Sequence, residues 1–477
     1  MDAFDELWRQ TRPAFAQERT FERAKRLALS ALVCLGRHTI TGLITAAGGQ
    51  FADWSADFRF FENERFRPQA LFRVARQAVA QQLEPGTPFV AMMDDTVLRK
   101  TGRKVPGTAW RRDPMSPPFH CNFIRGQRIL QLSAALPERI APSRARAIPI
   151  DLAPAPSPQR PGRNASPERW QEYREQQAHF NLSQQGLQRL HQLRDELDHD
   201  PHGKERPLLI CVDGSFTNRN VLKGLPERTV LIGRIRKDAK IYALPQLQPS
   251  GRGRLRSYGD RLPTPEQIRQ DDAIPWRPVS AFAAGKTHEF EVKTLAPIRW
   301  RPAGAHRDLR LVIIRPLGYR PTQNSRVFYR QPAYLICTDP SLPLERLLQS
   351  YLWRWEVELN FRDEKTLLGI HQPQVRTPHA VESIPAFFAA AYAFLLLAAH
   401  RTNGLPQTLQ SVAPKWRTPD PDKRPSTAEL ISLLRQQLWG LAIRTKNSYG
   451  FLPPHPSHTK PEKLSRSFDS ACFYGRG

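Results

Sequence analysis

The chain has 477 residues, 40% of them hydrophobic, and carries 71 Lys and Arg against 45 Asp and Glu, a formal net charge of +26. The apolar content excludes a wholly disordered chain, and the length allows about three domains. A balance this basic favours an anionic partner, most commonly nucleic acid, although a merely soluble, highly charged surface is the alternative.

The cysteines are odd in number, far apart and without a CxxC pair: Cys34, Cys121, Cys211, Cys337 and Cys472. This pattern excludes a disulfide framework and a zinc site, and it fits a reducing cytoplasm. The first ten residues, MDAFDELWRQ, lack a basic segment followed by an apolar run, so no signal peptide is predicted.

The first segment, from about residue 5 to residue 84, has apolar residues at helical spacing. Phe21–Cys34 is one predicted helix, Gly36 interrupts it, and Thr39–Ile44 resumes the pattern. Two short helices around a glycine turn can form a helix-turn-helix, which would suit a DNA-binding domain. Small helical bundles contain the same turn, so both interpretations stay open.

The next segment alternates strands with polar sequence. Pro88–Met93 is an apolar run, predicted to be a buried strand that ends at Asp94, Asp95 and Thr96. Gln127–Leu136 is a second predicted strand. Residues 140–165 are rich in Pro, Arg and Ala, which predicts a surface linker.

A helix and two further strands follow. Pro167–Asp198 is predicted to be one helix, with Ser166 as its N-cap. Pro207–Val212 is an apolar strand that leads directly into Asp213, and Thr229–Arg234 is another strand. This order of strands and helices predicts an α/β fold.

The second half of the chain begins with short strand-like runs between Pro, Gly and Arg, which predicts a β-rich insertion over 245–330. Ala333–Cys337 is a last strand, and a long helix is predicted from Leu344 to Leu368, ending at Gly369. Ile384–Ala399 is apolar but only about 16 residues long, whereas a membrane span needs about 20. It is therefore predicted to be a buried core helix.

Acids at the ends of strands are candidate metal ligands. Because consecutive strand residues point to opposite faces, only one of Asp94 and Asp95 can share a site with Asp213. Two carboxylates on neighbouring strands can bind a hard divalent cation such as Mg²⁺. Aspartate is also common where strands turn into loops, so these residues alone do not decide between the two interpretations.

The long predicted helix carries a more specific pattern. At about 100° per residue, four of its polar residues fall within roughly a 60° arc: Tyr351, Arg354, Glu358 and Lys365. Its other acids, Glu356, Asp363 and Glu364, fall on other faces. The pair Arg354 and Glu358 alone would be an ordinary i,i+4 pair on a solvated face. However, much of the remaining surface is apolar, which predicts a packed helix: Trp353, Trp355, Leu359 and Phe361.

The spacing Tyr351-x2-Arg354-x3-Glu358-x6-Lys365 resembles the Tyr-Arg-Glu-Lys signature of a superfamily of bacterial insertion-sequence transposases. Those proteins have an RNase H-like core and an Asp-Asp-Glu triad. Asp94-Asp95-Thr96 resembles their first-acid motif, in which the Asp directly before Thr is the ligand, and Asp213-Gly214 resembles the second. The resemblance covers about 85–400 and implies Asp95, Asp213 and Glu358 as the catalytic, metal-binding acids.

The resemblance implies a mixed α/β, RNase H-like sheet flanked by helices, with a β-rich insertion. The residue pattern adds a helical N-terminal domain, which the resemblance does not cover. The domains expected are a helical, DNA-binding domain over 1–84, a catalytic core over 85–244 and 331–401, an insertion over 245–330, and a basic, Pro-rich C-terminal region over 402–477. A helical stretch is predicted near Thr427–Leu441 in that last region.

The implied activity is Mg²⁺-dependent DNA cleavage at transposon ends and strand transfer, with Mn²⁺ able to substitute. Arg354 and Lys365 would bind phosphates, and Tyr351 would bind a phosphate or hold Glu358 in place. Trp276 and Trp300 are candidates for stacking on a displaced base, although a core position is an equal alternative.

The implied partners are double-stranded DNA with the terminal inverted repeats, target DNA, and a second copy of the chain in a synaptic homodimer. No membrane is implied, and the expected location is the bacterial cytoplasm, at the nucleoid. Two alternatives remain open: a nuclease of the same core without strand transfer, and a catalytically inactive DNA-binding regulatory derivative.

Overall fold

The structure is a computed structural model. It describes residues 1–402, apart from 103, 114–115, 118, 140, 247–255, 321 and 323, together with 424–445 and 468. Most of the predicted C-terminal region therefore lies outside the described residues.

The helices of the described chain are α1 (Asp2–Gln10), α2 (Glu18–Val33), α3 (Ile40–Ala46), α4 (Ser55–Glu62), α5 (Pro68–Gln82), α6 (Pro167–His179), α7 (Leu182–Asp198), α8 (Arg219–Lys223), α9 (Pro265–Gln270), α10 (Leu344–Trp353), α11 (Trp355–Thr366), α12 (Pro378–Thr402) and α13 (Thr427–Thr445). The strands are β1 (Phe89–Arg99), β2 (Thr108–Arg112), β3 (Phe123–Pro137), β4 (Ala145–Pro154), β5 (Leu208–Val212), β6 (Thr229–Arg234), β7 (Ile241–Tyr242), β8 (Arg277–Ala283), β9 (Lys286–Trp300), β10 (Leu309–Ile314), β11 (Gly318–Tyr319), β12 (Phe328–Tyr329) and β13 (Ala333–Cys337).

One mixed sheet organises the described chain. Its main path runs β2-β3-β1-β5-β6-β13-β10-β9-β7, with β4 paired to β3 and β8 paired to β9. At its centre, β1 is antiparallel to β3 but parallel to β5, and β5 is parallel to β6. Helices cover both faces, so β5 is buried along its whole length. This arrangement confirms the predicted α/β, RNase H-like fold.

Strand β1 differs from the prediction, which ended it at the acids. It continues to Arg99, because Ala91 to Arg99 pair without interruption with β3. The two aspartates therefore lie inside the strand. Met92 packs on one face of the sheet and Met93 on the other, so Asp94 continues the face of Met92 and Asp95 that of Met93.

The predicted linker over 140–165 is wrong for ten of its residues. Ala145–Pro154 forms β4, whose first eight residues are buried against β3 and α12. The strand was not predicted because the prolines of this segment are typical of a linker. They are tolerated because β4 lies at an edge of the sheet, where Pro149 adjoins a break in register.

Two predicted helices are each divided. Pro167–Asp198 breaks after His179, where the side chain of Asn181 caps α7 by accepting a bond of 3.0 Å from the Gln184 amide. The side chain of Ser166 caps α6, as predicted. The second break, at Arg354, is slight because this residue keeps helical backbone angles while its amide bonds to the Tyr351 carbonyl, as in a 3₁₀ turn.

The strands of the predicted insertion extend the central sheet. Strands β9 and β10 are antiparallel neighbours, and β10 joins β13, which pairs with β6. The region is thus β-rich, as predicted, and continuous with the sheet. The boundaries of the five domains stay predictions.

Helix α12 forms the centre of the largest core. It is long and apolar enough to span a membrane, but 94% of its most apolar window is buried inside the protein. The sheet and the helices α1, α2, α4 and α5 pack around it. Trp8 of α1 makes edge-to-face contacts with Phe387 and Phe394 of α12. The predicted core helix is therefore present, extended at both ends.

Candidate active site

The candidate acids meet at a cavity of about 720 Å³ beside the carboxyl ends of β5 and β6. Ligands commonly bind at the carboxyl ends of strands in α/β sheets. The residues lining this cavity include Asp94, Asp213, Arg354 and Glu358, together with Arg234, Arg236 and Trp300.

Asp94 lies on the cavity side of β1. Burial is the main cause that raises its pKa to about 7, and the guanidinium of Arg354 opposes this shift. The carboxylates of Asp213 and Asp95 raise it further. The Asp95 amide donates a bond of 2.8 Å to Asp94 Oδ1, which fixes the orientation of the carboxyl group.

Asp95 does not line the cavity, in contrast to its predicted role. Its Oδ2 lies 3.0 Å from Nε of Arg128, a residue of β3 that the sequence analysis missed. Burial raises the pKa of Asp95, while the charges of Arg128 and Arg111 lower it. α11 packs on the face of the sheet that carries Asp94, so Asp94 shares the cavity with Asp213 and Glu358. The identity of the first metal ligand stays a prediction.

Asp213 directly follows β5, as predicted, and its carboxylate is held by the next turn. Ser215 donates to it twice, from its amide at 2.8 Å and from its hydroxyl at 3.1 Å. Thr217 donates from its hydroxyl to the Asp213 carbonyl at 2.7 Å. These partners were not predicted from the sequence, although Asp-x-Ser after a strand is a recognisable signal for such a turn.

Arg354 joins Asp94 and Glu358. Its Nη1 lies 3.3 Å from Asp94 Oδ2, and its Nη2 lies 3.0 Å from Glu358 Oε1. Tyr351 is 9% exposed, and its ring centroid lies 6.0 Å from the guanidinium carbon. Burial raises the pKa of the Tyr351 hydroxyl to about 12, so this group remains a hydrogen-bond donor. Three of the four signature residues thus form one contiguous group.

Lys365, the fourth signature residue, belongs to α11 and lies beside a later residue of β1. Its ammonium group donates to the hydroxyl of Thr96, which shares a face of the strand with Asp94. Burial lowers the pKa of Lys365. The helix therefore runs alongside β1, with Arg354 beside Asp94 and Lys365 beside Thr96.

The other acids of α11 have different partners. Glu356 pairs with Arg424, Asp363 accepts a bond of 2.6 Å from Thr427, and Glu364 is fully buried. This separation from Glu358 agrees with the helical geometry. The prediction that Trp355 is packed inside the protein is wrong, because its side chain is 55% exposed.

The two candidate stacking residues lie in different surroundings. Trp300, the last residue of β9, lines the cavity. Trp276 is covered by two cations instead, with Lys293 Nζ at 4.6 Å and the guanidinium carbon of Arg315 at 5.6 Å from its ring centroid. Trp300 is therefore the one that can meet a ligand in the cavity.

Three carboxylates around one cavity are the donor set that suits a hard divalent cation. In the described part of the chain, no three His, Cys, Asp or Glu side chains stand close enough to hold a metal as they are. Arg354, between Asp94 and Glu358, supplies positive charge at this point. The chemistry of the donors fits a divalent metal.

Comparison with known proteins identifies the family. A family model described as DDE superfamily endonuclease matches residues 12–306, which include Asp94, Asp95 and Asp213 but not Glu358. No curated protein matches the chain significantly. The match covers more than half of the chain and agrees with the RNase H-like sheet and its acids. The chain therefore belongs to the DDE superfamily endonucleases, enzymes that cut DNA with the help of divalent metal ions.

Proposed function

We propose that the protein is a transposase of the insertion-sequence type, which cleaves DNA at transposon ends and joins the freed strand to target DNA. The observation that carries this proposal is the contact of Arg354 with both Asp94 and Glu358 at a cavity that Asp213 also lines. The Tyr-Arg-Glu-Lys signature, which runs from Tyr351 of α10 to Lys365 of α11, supports it, since three of its members are in contact there.

In this proposal Asp94, Asp213 and Glu358 hold the metal, which is Mg²⁺ with Mn²⁺ as a substitute. Asp94 replaces Asp95 as the first acid because it shares the cavity with the other two, whereas Asp95 pairs with Arg128. When bound, divalent cations activate the attacking water and stabilise the leaving 3′ oxygen.

The remaining residues bind and orient the DNA. Arg354 can present two N–H donors to a phosphate, which makes it both an anchor and the counter-charge of the acids. Tyr351 supports the guanidinium with its ring, and Lys365 adds a point charge farther along the DNA. Trp300 is the candidate for stacking on an unpaired base at the cavity.

The partners proposed are terminal inverted repeats, target DNA and a second copy of the chain in the synaptic complex. Residues 1–84 are proposed to contribute to DNA binding, and 331–401 to complete the core begun by 85–244. A nucleoid-associated cytoplasmic location follows from this activity.

The test uses the full-length protein with duplex oligonucleotides from the two flanks of its gene. Asp94→Asn, Asp213→Asn and Glu358→Gln should each reduce Mg²⁺-dependent cleavage at least about 100-fold, because even the second-shell partners of metal ligands cost 10–100-fold. Asp95→Asn, at the adjacent position, is the matched control and should lose much less. Normal cleavage by a folded Asp94→Asn protein, together with loss in Asp95→Asn, would refute the assignment.

Strand transfer needs its own readout. Incubation of pre-cleaved ends with a supercoiled plasmid should give covalently joined products that require the same three acids. Cleavage without joined products would identify a nuclease instead. DNA binding without either reaction, in the unmodified protein, would identify a catalytically inactive regulatory derivative.

A further inference from the structure

Strands β2 and β3 present an exposed pattern of aromatic and basic residues outside the cavity. Trp110 is 69% exposed and Phe123 is 61% exposed. In the antiparallel register, Trp110 lies opposite Arg125, and Arg112 lies opposite Phe123. Each ring therefore has an arginine as its cross-strand neighbour, and all four side chains share one face of the two strands. We call these four residues the hairpin face.

The exposure is confined to this face. The alternate residues of β2 turn towards the other side, where Ala109 is half-buried and Arg111 donates a bond of 3.1 Å to the Ser157 hydroxyl. Strand β2 forms an edge of the sheet, where exposed aromatic residues favour unwanted pairing between proteins. A pair of exposed rings at such an edge indicates a binding role.

The hairpin face continues the side of the sheet that carries the acids. Asp94 lies opposite Gln131 of β3, and Arg125 is six residues before Gln131 on the same face. At about 3.3 Å per residue, the hairpin face begins roughly 20 Å from Asp94. Between the two, Leu98 and Gln127 are buried, and Gln127 donates a bond of 3.3 Å to the Val381 carbonyl of α12. The hairpin face and the cavity are therefore separate surfaces on one side of the sheet.

The chemistry of the hairpin face selects the kind of DNA. Stacking on Trp110 and Phe123 requires free base faces, which unpaired nucleotides offer and the interior of a duplex does not. Arg112 is exposed and adds positive charge for the phosphates between the bases. Arg125 is half-buried, donates a bond of 2.9 Å to the Thr108 hydroxyl and adds a second positive charge. A partner that combines flat rings with regular negative charge is single-stranded nucleic acid.

We propose that the hairpin face binds unpaired nucleotides of the substrate DNA, roughly 20 Å from the phosphate that is cleaved. The rings of Trp110 and Phe123 stack on bases, and Arg112 and Arg125 contact the backbone. The stated spacing rests on the proposed function, which locates the cleaved phosphate at Asp94. Binding itself does not require catalysis.

The experiment measures binding by fluorescence anisotropy at fixed salt, with EDTA present so that no cleavage occurs. One DNA carries a ten-nucleotide single-stranded extension at the cleaved end, and a second is fully duplex with the same length. Trp110→Ala and Phe123→Ala should each weaken binding of the first DNA about fivefold or more. Affinity for the duplex should stay unchanged.

Matched variants separate stacking from loss of fold. Trp110→Phe and Phe123→Trp keep a ring and should keep most of the affinity, whereas Phe180→Ala, which removes a 57% exposed ring between α6 and α7, should have no effect. 2-Aminopurine placed in turn at each position of the extension should lose fluorescence on binding at the positions that reach the hairpin face, and Trp110→Ala should abolish this loss.

Two results would overturn the proposal. Equal weakening on both DNAs would show that the rings do not select unpaired bases. Unchanged DNA binding, together with a change from dimer to monomer in Trp110→Ala, would assign the hairpin face to contact between copies of the chain. Because Asp94→Asn retains the hairpin face, selective binding by that variant would persist even if the proposed catalytic assignment failed.

Discussion

Glu364 is a carboxylic acid with no exposure to solvent, and it lies six residues after Glu358. It lies in α11, on the side that packs against the sheet. Burial is the main cause that raises its pKa to about 8, and the carboxylate of Asp363 adds to this, while the charge of Lys365 opposes it. At neutral pH the group is therefore mostly protonated in the folded protein.

This has a defined consequence for stability. The folded-state pKa lies above the ordinary value of 4.5, so the folded protein holds more protons than the unfolded chain between about pH 4.5 and 8. Stability should fall as the pH rises through this window. Glu364→Gln should remove this dependence and stabilise the protein at pH 9, on the order of 5 kcal/mol, since each pKa unit is worth ~1.4 kcal/mol.

Thermal unfolding at pH 5, 7 and 9 measures the effect. The difference in Tm between Glu364→Gln and the unmodified protein should grow with pH. Glu345→Gln, at an exposed position of α10, is the control for removal of one negative charge. A constant difference in Tm across the three pH values would contradict the shifted pKa.

The choice between Asp94 and Asp95 shows what single residues can reveal. Because side chains alternate between the two faces of a strand, only one of the two can face the site. This prediction needs only the local sequence. Which one depends on the face that α11 covers, and α11 begins about 260 residues later. The resemblance favoured Asp95, whereas the packing of the helix places Asp94 at the cavity.

At the scale of the element, the basic residues of α11 and Arg354, directly before it, lie on different faces. Arg354 and Lys365 point towards β1, whereas Arg362 lies on another face and its side chain is 62% exposed. If the first two bind phosphates, each should release about one counterion from the DNA. The helix thus provides its own control for the effect of positive charge.

We expect Arg354→Ala and Lys365→Ala to weaken DNA binding and to reduce the slope of log K against log salt by about 0.9 each. Arg362→Ala removes the same charge from the other face and should leave the slope unchanged. Binding titrations between 50 and 300 mM salt, with EDTA, measure these slopes. Equal reductions in all three variants would mean that the face of the helix does not matter.

Elements were predictable where their signal is local. The stripe of α11 and the buried strand β5 follow from periodicity and from a continuous apolar run. Strand β4 could not be predicted, because its prolines resemble a linker and its pairing partner β3 decides the outcome. The second half of β1 is polar and is held as a strand by the same partner.

At the scale of the whole molecule, the N-terminal helices share a core with the catalytic domain. Trp8 is fully buried against two phenylalanines of α12, and Phe60, Phe61 and Phe66 also contact Phe387. The sequence predicted the helices but could not predict this packing, because the contacts join residues more than 300 positions apart.

Trp8→Ala should therefore destabilise the entire protein by roughly 3–5 kcal/mol, the usual cost of removing a large buried aromatic residue. Trp355→Ala, which removes a half-exposed ring from α11, should cost much less. Thermal unfolding and hydrogen exchange of the amides of β1 and β5 measure the effect. Unchanged protection of these strands in Trp8→Ala would show that the N-terminal helices unfold independently of the sheet.

The position of α12 in the sequence also determines when the newly made chain can complete its core. About 320 residues separate the end of α5 from the end of α12, which takes a ribosome roughly 16–64 s at about 5–20 residues per second. During this interval the N-terminal helices lack the surface that buries Phe4, Leu7 and Trp8. Their apolar side chains are then exposed to chaperones and proteases. The N-terminal helices can therefore complete their packing on α12 only after residue 402 has been made, long after the first helices leave the ribosome.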